Sequence, residues 1–146
     1  MEIYDRAKEF KKKYPGTVAW RLKMNSAIVQ KHLNPDERVL YVFLGQKNDN
    51  PLNILTTAVI AITNKRILIG RKRVVVGYFL DSITPDLFND LKVRSGVFWG
   101  KIDIDTVKEL VTLSNISKRA LSEVETEISQ YMMEKKKEYT YKKYEE

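Results

Sequence analysis

The sequence predicts an α+β fold: an antiparallel β-barrel or sandwich of about seven short strands, a closing helix after it, and a helical extension in front. Three observations carry that expectation. From Val39 onward, apolar residues alternate in short runs separated by polar or Gly- and Pro-bearing turns, as half-buried strands require. From Ile116 to Met132 they recur every fourth position, the stripe of a helix with one buried face. Before Asn34 the period is again helical, on a strongly charged background.

Residues 2–13 predict a charged helix with Ile3, Ala7 and Phe10 on one face. Tyr14-Pro15-Gly16 forces a turn. In the second helical stretch Val18, Leu22, Val29 and Leu33 share a face, and Asn34-Pro35 ends it. This preface is expected to dock on the sheet, with Trp20 a candidate anchor. Strands are expected near 39–44, 56–63, 66–71, 74–81, 87–94, 97–105 and 107–113. The best-defined pair is Thr56 to Arg71, TTAVIAITNKRILIGR. Its β-branched content favours two strands over one buried helix, and Asn64 tolerates the left-handed backbone of a tight turn. Gln46 to Asn53 predicts an exposed loop, Pro85-Asp86 a break, and Ser95-Gly96 a hairpin turn. The last helix is expected to begin at Ser114 or Asn115 as cap, with Ile116, Ala120, Val124, Ile128 and Met132 on its buried face. Beyond Met133 the stripe fades into EKKKEYTYKKYEE, expected as frayed helix or disorder. The domain organisation is therefore a helical extension (1–34), a β domain with its helix (35–133) and a charged tail (134–146).

Composition narrows the chemistry. With 43% hydrophobic and 31% charged residues, a globular core is affordable without disorder-like polarity. There are no cysteines and His32 is the only histidine, which excludes disulfides, thiolate chemistry and multi-histidine metal sites. No run reaches the ~20 apolar residues of a membrane span, and Glu2 onward carries no secretory apolar core, so a cytoplasmic protein is expected. Of the net charge of +7, the first 34 residues hold most: eight Lys/Arg against three Asp/Glu. Attraction to polyanions is expected to be an N-terminal property.

Seven strands followed by an amphipathic helix is the element order of a pleckstrin-homology-like (PH-like) fold. Residues Ile60 to Leu68, IAITNKRIL, resemble the recurring hairpin of bacterial PH-like domains. The later VFWGKIDIDTVKELVTLSNISKRALSEVETEI resembles the closing strands and helix of the YokE type within that group. The resemblance covers roughly residues 36–131 and implies architecture first: a PH-like β-barrel closed by its helix. Eukaryotic PH modules of similar fold often act as adaptors for lipid headgroups, peptides or proteins. The lipid-binding pattern needs spaced cations around the first hairpin. Here that loop is QKNDNPLN, with Lys47 beside Asp49, so the resemblance does not carry headgroup recognition over to this position.

Four clusters remain as candidates. Arg71, Lys72 and Arg73, between two strands, could hold an anion; a solvated turn is the plainer account. Lys11, Lys12 and Lys13, with Arg6, Lys8, Arg21 and Lys23, could face a membrane or nucleic acid, against a solvated helix face. Asp103 and Asp105 share a strand face but lack a third oxygen ligand or a nucleophile, so an ordinary polar face suits them better. If Phe98, Ile102 and Ile104 fill the barrel, Val97 and Trp99 form an outer apolar spot, either a partner site or a bed for the N-terminal helices. Tyr139, Tyr141 and Tyr144 could dock a partner from the tail. The expectation is a non-enzymatic adaptor, without cofactor, that binds a protein or peptide or a second copy through Val97 and Trp99. The alternative is peripheral binding to an anionic membrane through the basic extension, with nucleic acid ranked after it and enzymatic activity last.

Overall fold

Two helices, α1 (Glu2–Lys13) and α2 (Leu22–His32), precede the strands β1 (Val39–Gln46), β2 (Thr57–Thr63), β3 (Ile67–Lys72), β4 (Tyr78–Ile83), β5 (Phe88–Ser95), β6 (Trp99–Thr106) and β7 (Leu110–Ser117); helix α3 (Leu121–Glu145) ends the chain. The computed structural model describes the backbone of residues 1–145 and the side chains of residues 1–138 and 140. The docking role weighed for Tyr139, Tyr141 and Tyr144 falls on side chains outside the described residues.

The strands form one antiparallel sheet in the order β4-β3-β2-β1-β7-β6-β5, curled into a half-barrel. Every residue of β2 is buried, because both faces of this strand are covered. On one side α2 lies so close to β3 that a Cβ added at Gly70 would stand 2.6 Å from Val29 Cγ2. Inside the curl, Gly45 faces Ile116 of β7. Helix α1 buries Ile3, Ala7 and Phe10, the three positions its spacing marks. Helix α3 covers β6 at Gly100, where a Cβ would stand 2.7 Å from Leu121, and buries Val124, Ile128 and Met132.

The hairpin that carries the family resemblance is held by an ion pair. Arg66 Nε donates to Glu37 Oε2 at 3.0 Å, and the Glu37 side chain is 0% exposed. Arg66 also donates to the carbonyl of His32, and Thr63 Oγ1 donates to the same carboxylate oxygen. Burial alone would raise the Glu37 carboxyl, but donors from Arg66 and Thr63 and the Asn34 backbone outweigh it and hold it below the usual range. The Thr-Asn-Lys-Arg turn thus fastens α2, β2 and β3 together.

Three expected details differ. The strand expected at 74–81 starts only at Tyr78, because Arg73 N–H donates to Gly77 O at 3.0 Å and Gly77 adopts a φ of +85° that closes a turn. The last helix does not start at Ser114 or Asn115. Those residues form a bulge in β7, with Ser114 Oγ donating to Asn48 and left-handed Asn115 donating to Gln46 Oε1 and Pro51 O. Ile116 is therefore buried from a strand. Val18 precedes α2 instead of lying on its face, since the helix begins at Leu22.

Candidate functional site

Antiparallel alternation sends the β1–β2, β3–β4 and β6–β7 connections from one end of the sheet, and the β2–β3 and β5–β6 turns from the other. Exposed apolar side chains gather at both ends. Leu52, Val75, Val76 and Val107 stand out at the first, Val97 and Phe98 at the second.

The β3–β4 tip places three consecutive valines in solvent, with Val75 86% and Val76 74% exposed. Cations stand at its base. The Arg71 and Arg73 guanidiniums lie 4.3 and 5.2 Å from the Phe79 ring centroid, a cation–π arrangement. With Val74, Val75, Val76 and Phe79 they line an open hollow of about 460 Å³. Arg71 Nε is buried without a hydrogen-bond partner. Burial lowers the affinity of this guanidinium for its proton; Asp81 opposes that effect and Arg73 adds to it. Asp81 is itself paired with Lys47 at 2.6 Å. Among the described residues, Arg71, Lys72 and Arg73 have no carboxylate within ion-pair distance. The segment before α2 reaches this hairpin too. Arg21, in the left-handed region at φ 56°, stacks on Trp20 and donates to the carbonyls of Arg73 and Val74. Asn25, buried in α2, accepts from Lys72 N–H at 2.7 Å and donates to Thr57 O. The strand reading of residues 74–81 hid these valines; the glycine four residues after Arg73 was the available signal.

The β5–β6 tip is tighter, closed by Gly96 N–H donating to Trp99 O at 2.9 Å. Phe98 is not inside the barrel. It sits in the turn, where strand alternation no longer applies, and is 78% exposed beside Val97 at 79%. Trp99 is half-buried, its ring 5.9 Å from that of Phe98. The N-terminal helices pack on β1, β2 and β3 and do not bed on this spot. The turn before α2 does come near: Tyr14, Pro15 and Gly16 line a cleft of about 360 Å³ with Phe98, Ser117, Lys118 and Arg119. Lys118 Nζ donates to Val97 O at 3.2 Å.

The basic run on α1 is mostly occupied. Lys11 donates to the carbonyls of Pro15 and Thr17, ending the helix. Lys13 pairs with Glu123 of α3, which also accepts from the Tyr41 hydroxyl at 2.7 Å. Lys12 alone of the three stays in solvent without such a partner. Asp103 is buried against Arg94 and Thr112, and Asp105 is exposed, so the two do not form a site together. No group of three or more metal-ligating side chains occurs among the described residues. No described helix is long and apolar enough to cross a membrane.

A model of the bacterial PH domain family matches residues 33–130, about two-thirds of the chain, and reaches the family without distinguishing a type within it. Among solved structures, the pleckstrin homology domain from Shewanella amazonensis SB2B is similar with a TM-score of 0.50. The likeness covers 77% of this chain and 88% of that one at 16% identity, which makes it a likeness of fold. No curated protein matches significantly.

Proposed function

The chain belongs to the bacterial PH domain family, and on that premise we propose that it is a non-enzymatic adaptor whose β5–β6 tip binds a protein or peptide partner. The observation that carries this reading is Phe98, an aromatic side chain presented in solvent at the lip of a cleft. Partner sites concentrate their energy in a few such anchors. The rim is cationic through Lys118 and Arg119, and Arg119 has no ion-pair partner among the described residues. That charge favours an acidic segment carrying an apolar side chain for the cleft. Self-association would use the same anchor.

Fluorescence anisotropy with acidic peptides bearing a central Leu or Phe tests the reading, with the same peptides made polar at that position as control. Phe98→Ala should weaken capture about tenfold or more at unchanged fold. Sedimentation velocity of wild type and variant separates a second copy from a peptide. Equal capture by wild type and Phe98→Ala would remove the β5–β6 tip as the partner site.

A further inference from the structure

The β3–β4 hairpin carries a second surface of different chemistry, independent of the partner site. We propose that this tip docks on an anionic lipid bilayer, Val74, Val75 and Val76 entering the interface while Arg71, Lys72 and Arg73 hold lipid phosphates.

Convexity argues for a bilayer over a protein pocket. The three valines form the outermost turn of a hairpin, so a partner must close around them from all sides, which a fluid interface does without built complementarity. Binding of this kind scales with the apolar area inserted plus attraction to anionic headgroups. Both ingredients are present within six residues. Val75 and Val76 are among the most exposed side chains in the molecule, and the cations at the base are left unpaired by carboxylates. The nearest acidic group, Asp81, is taken by Lys47. The hollow of about 460 Å³ under the tip holds two guanidiniums, and Arg71 Nε within it lacks an acceptor. A phosphate oxygen supplies the acceptor that the protein does not, in the planar two-donor geometry that guanidinium favours.

The neighbouring connections agree. Leu52, Ile54 and Leu55 of the β1–β2 connection and Val107 of the β6–β7 connection are exposed at the same end of the sheet. The end as a whole is an apolar rim over a band of cations. The first-hairpin loop contributes no cation cluster, since Lys47 is paired with Asp81 and Asp49 with Lys101. Arg21 lies outside the residues that match the family, and its bonds to the carbonyls of Arg73 and Val74 brace the tip. The basic extension therefore serves the membrane surface through Arg21, with Lys11 and Lys13 engaged elsewhere.

Sedimentation of the full chain with vesicles tests this, comparing phosphatidylcholine alone with phosphatidylcholine mixed with phosphatidylglycerol. The wild type should sediment with the anionic vesicles only. Val75→Ser with Val76→Ser should lower partitioning about tenfold or more, with the unfolding midpoint unchanged. Arg71→Gln and Arg73→Gln should each cost about fivefold and flatten the salt dependence. Phe98→Ala should leave sedimentation intact, so failure here and failure of the partner site are read separately. Absence of wild-type binding to anionic vesicles overturns the proposal. So does unchanged binding by the double valine variant, or a loss caused by Lys12→Gln and by no hairpin substitution. Tighter binding to an acidic protein or to nucleic acid than to vesicles, dependent on the same arginines, also overturns it.

Discussion

The β3–β4 and β5–β6 hairpins both end in exposed apolar side chains, yet their surroundings divide them. At β5–β6 a single aromatic leans over a cleft shared with the Tyr14-Pro15-Gly16 turn, so the surface has a hollow for one side chain. At β3–β4 the apolar groups are the outermost atoms and the hollow beneath them is lined by guanidiniums. Exposed apolar area alone does not name an occupant; the shape beside it and the charge below it do. Antiparallel alternation puts the two tips at opposite ends of the sheet, which allows both to be engaged at once.

The largest expected effect removes the frame on which both tips stand. Arg66→Ala leaves the Glu37 carboxylate buried without its counter-charge and strips a donor from the His32 carbonyl. Breaking a buried pair from one side costs about 3–5 kcal/mol, so chemical denaturation should show a loss of that order, and both tips should weaken together. Loss of one binding activity with stability intact would show that Arg66 belongs to a site and not to the frame.

Gly70→Val should separate the tips. The added side chain begins 2.6 Å from Val29 Cγ2, and overpacking of this kind costs about 1–3 kcal/mol. The strain falls where α2 meets β3, the contact through which Arg21 and Asn25 hold the β3–β4 hairpin. Vesicle sedimentation should fall by more than peptide capture at Phe98. Equal losses would mean that α2 supports the whole sheet and not that hairpin in particular.

Much of the frame was legible because its causes are local. Ile3, Ala7 and Phe10 mark the buried face of α1, and TTAVIAITNKRILIGR gives two strands because its turn residues and its β-branched runs agree. The tips were harder because at each one local preference and tertiary context disagree. Three valines read as strand until Gly77 bends the chain back to Arg73. Phe98 was placed inside by an alternation that stops at the turn. Ser114 and Asn115 have the chemistry of helix caps, and the fold spends it on a bulge that ties β7 to the loop after β1. The cations of α1 gave the clearest charge signal, but spacing cannot reveal that Lys13 meets a glutamate of α3.

The smallest expected effect concerns that glutamate. Burial would raise the Glu123 carboxyl, but hydrogen bonds from Lys13, Tyr41 and Tyr14 outweigh it and hold it below the usual range. A carboxyl depressed by folding stabilises the native state above its unfolded value, near 4.5, and loses that contribution as pH falls through the folded value. Wild type should therefore unfold at a higher temperature than Glu123→Gln at neutral pH, and the difference should vanish in acid below that range. A difference that persists there would mean that Glu123 acts through packing and not through its charge. The same substitution loosens Tyr14, which lines the Phe98 cleft, and touches nothing at the β3–β4 tip. Peptide capture should fall a few-fold while vesicle sedimentation holds. Equal sensitivity of both activities would join the two tips into one surface, against their separation by the sheet.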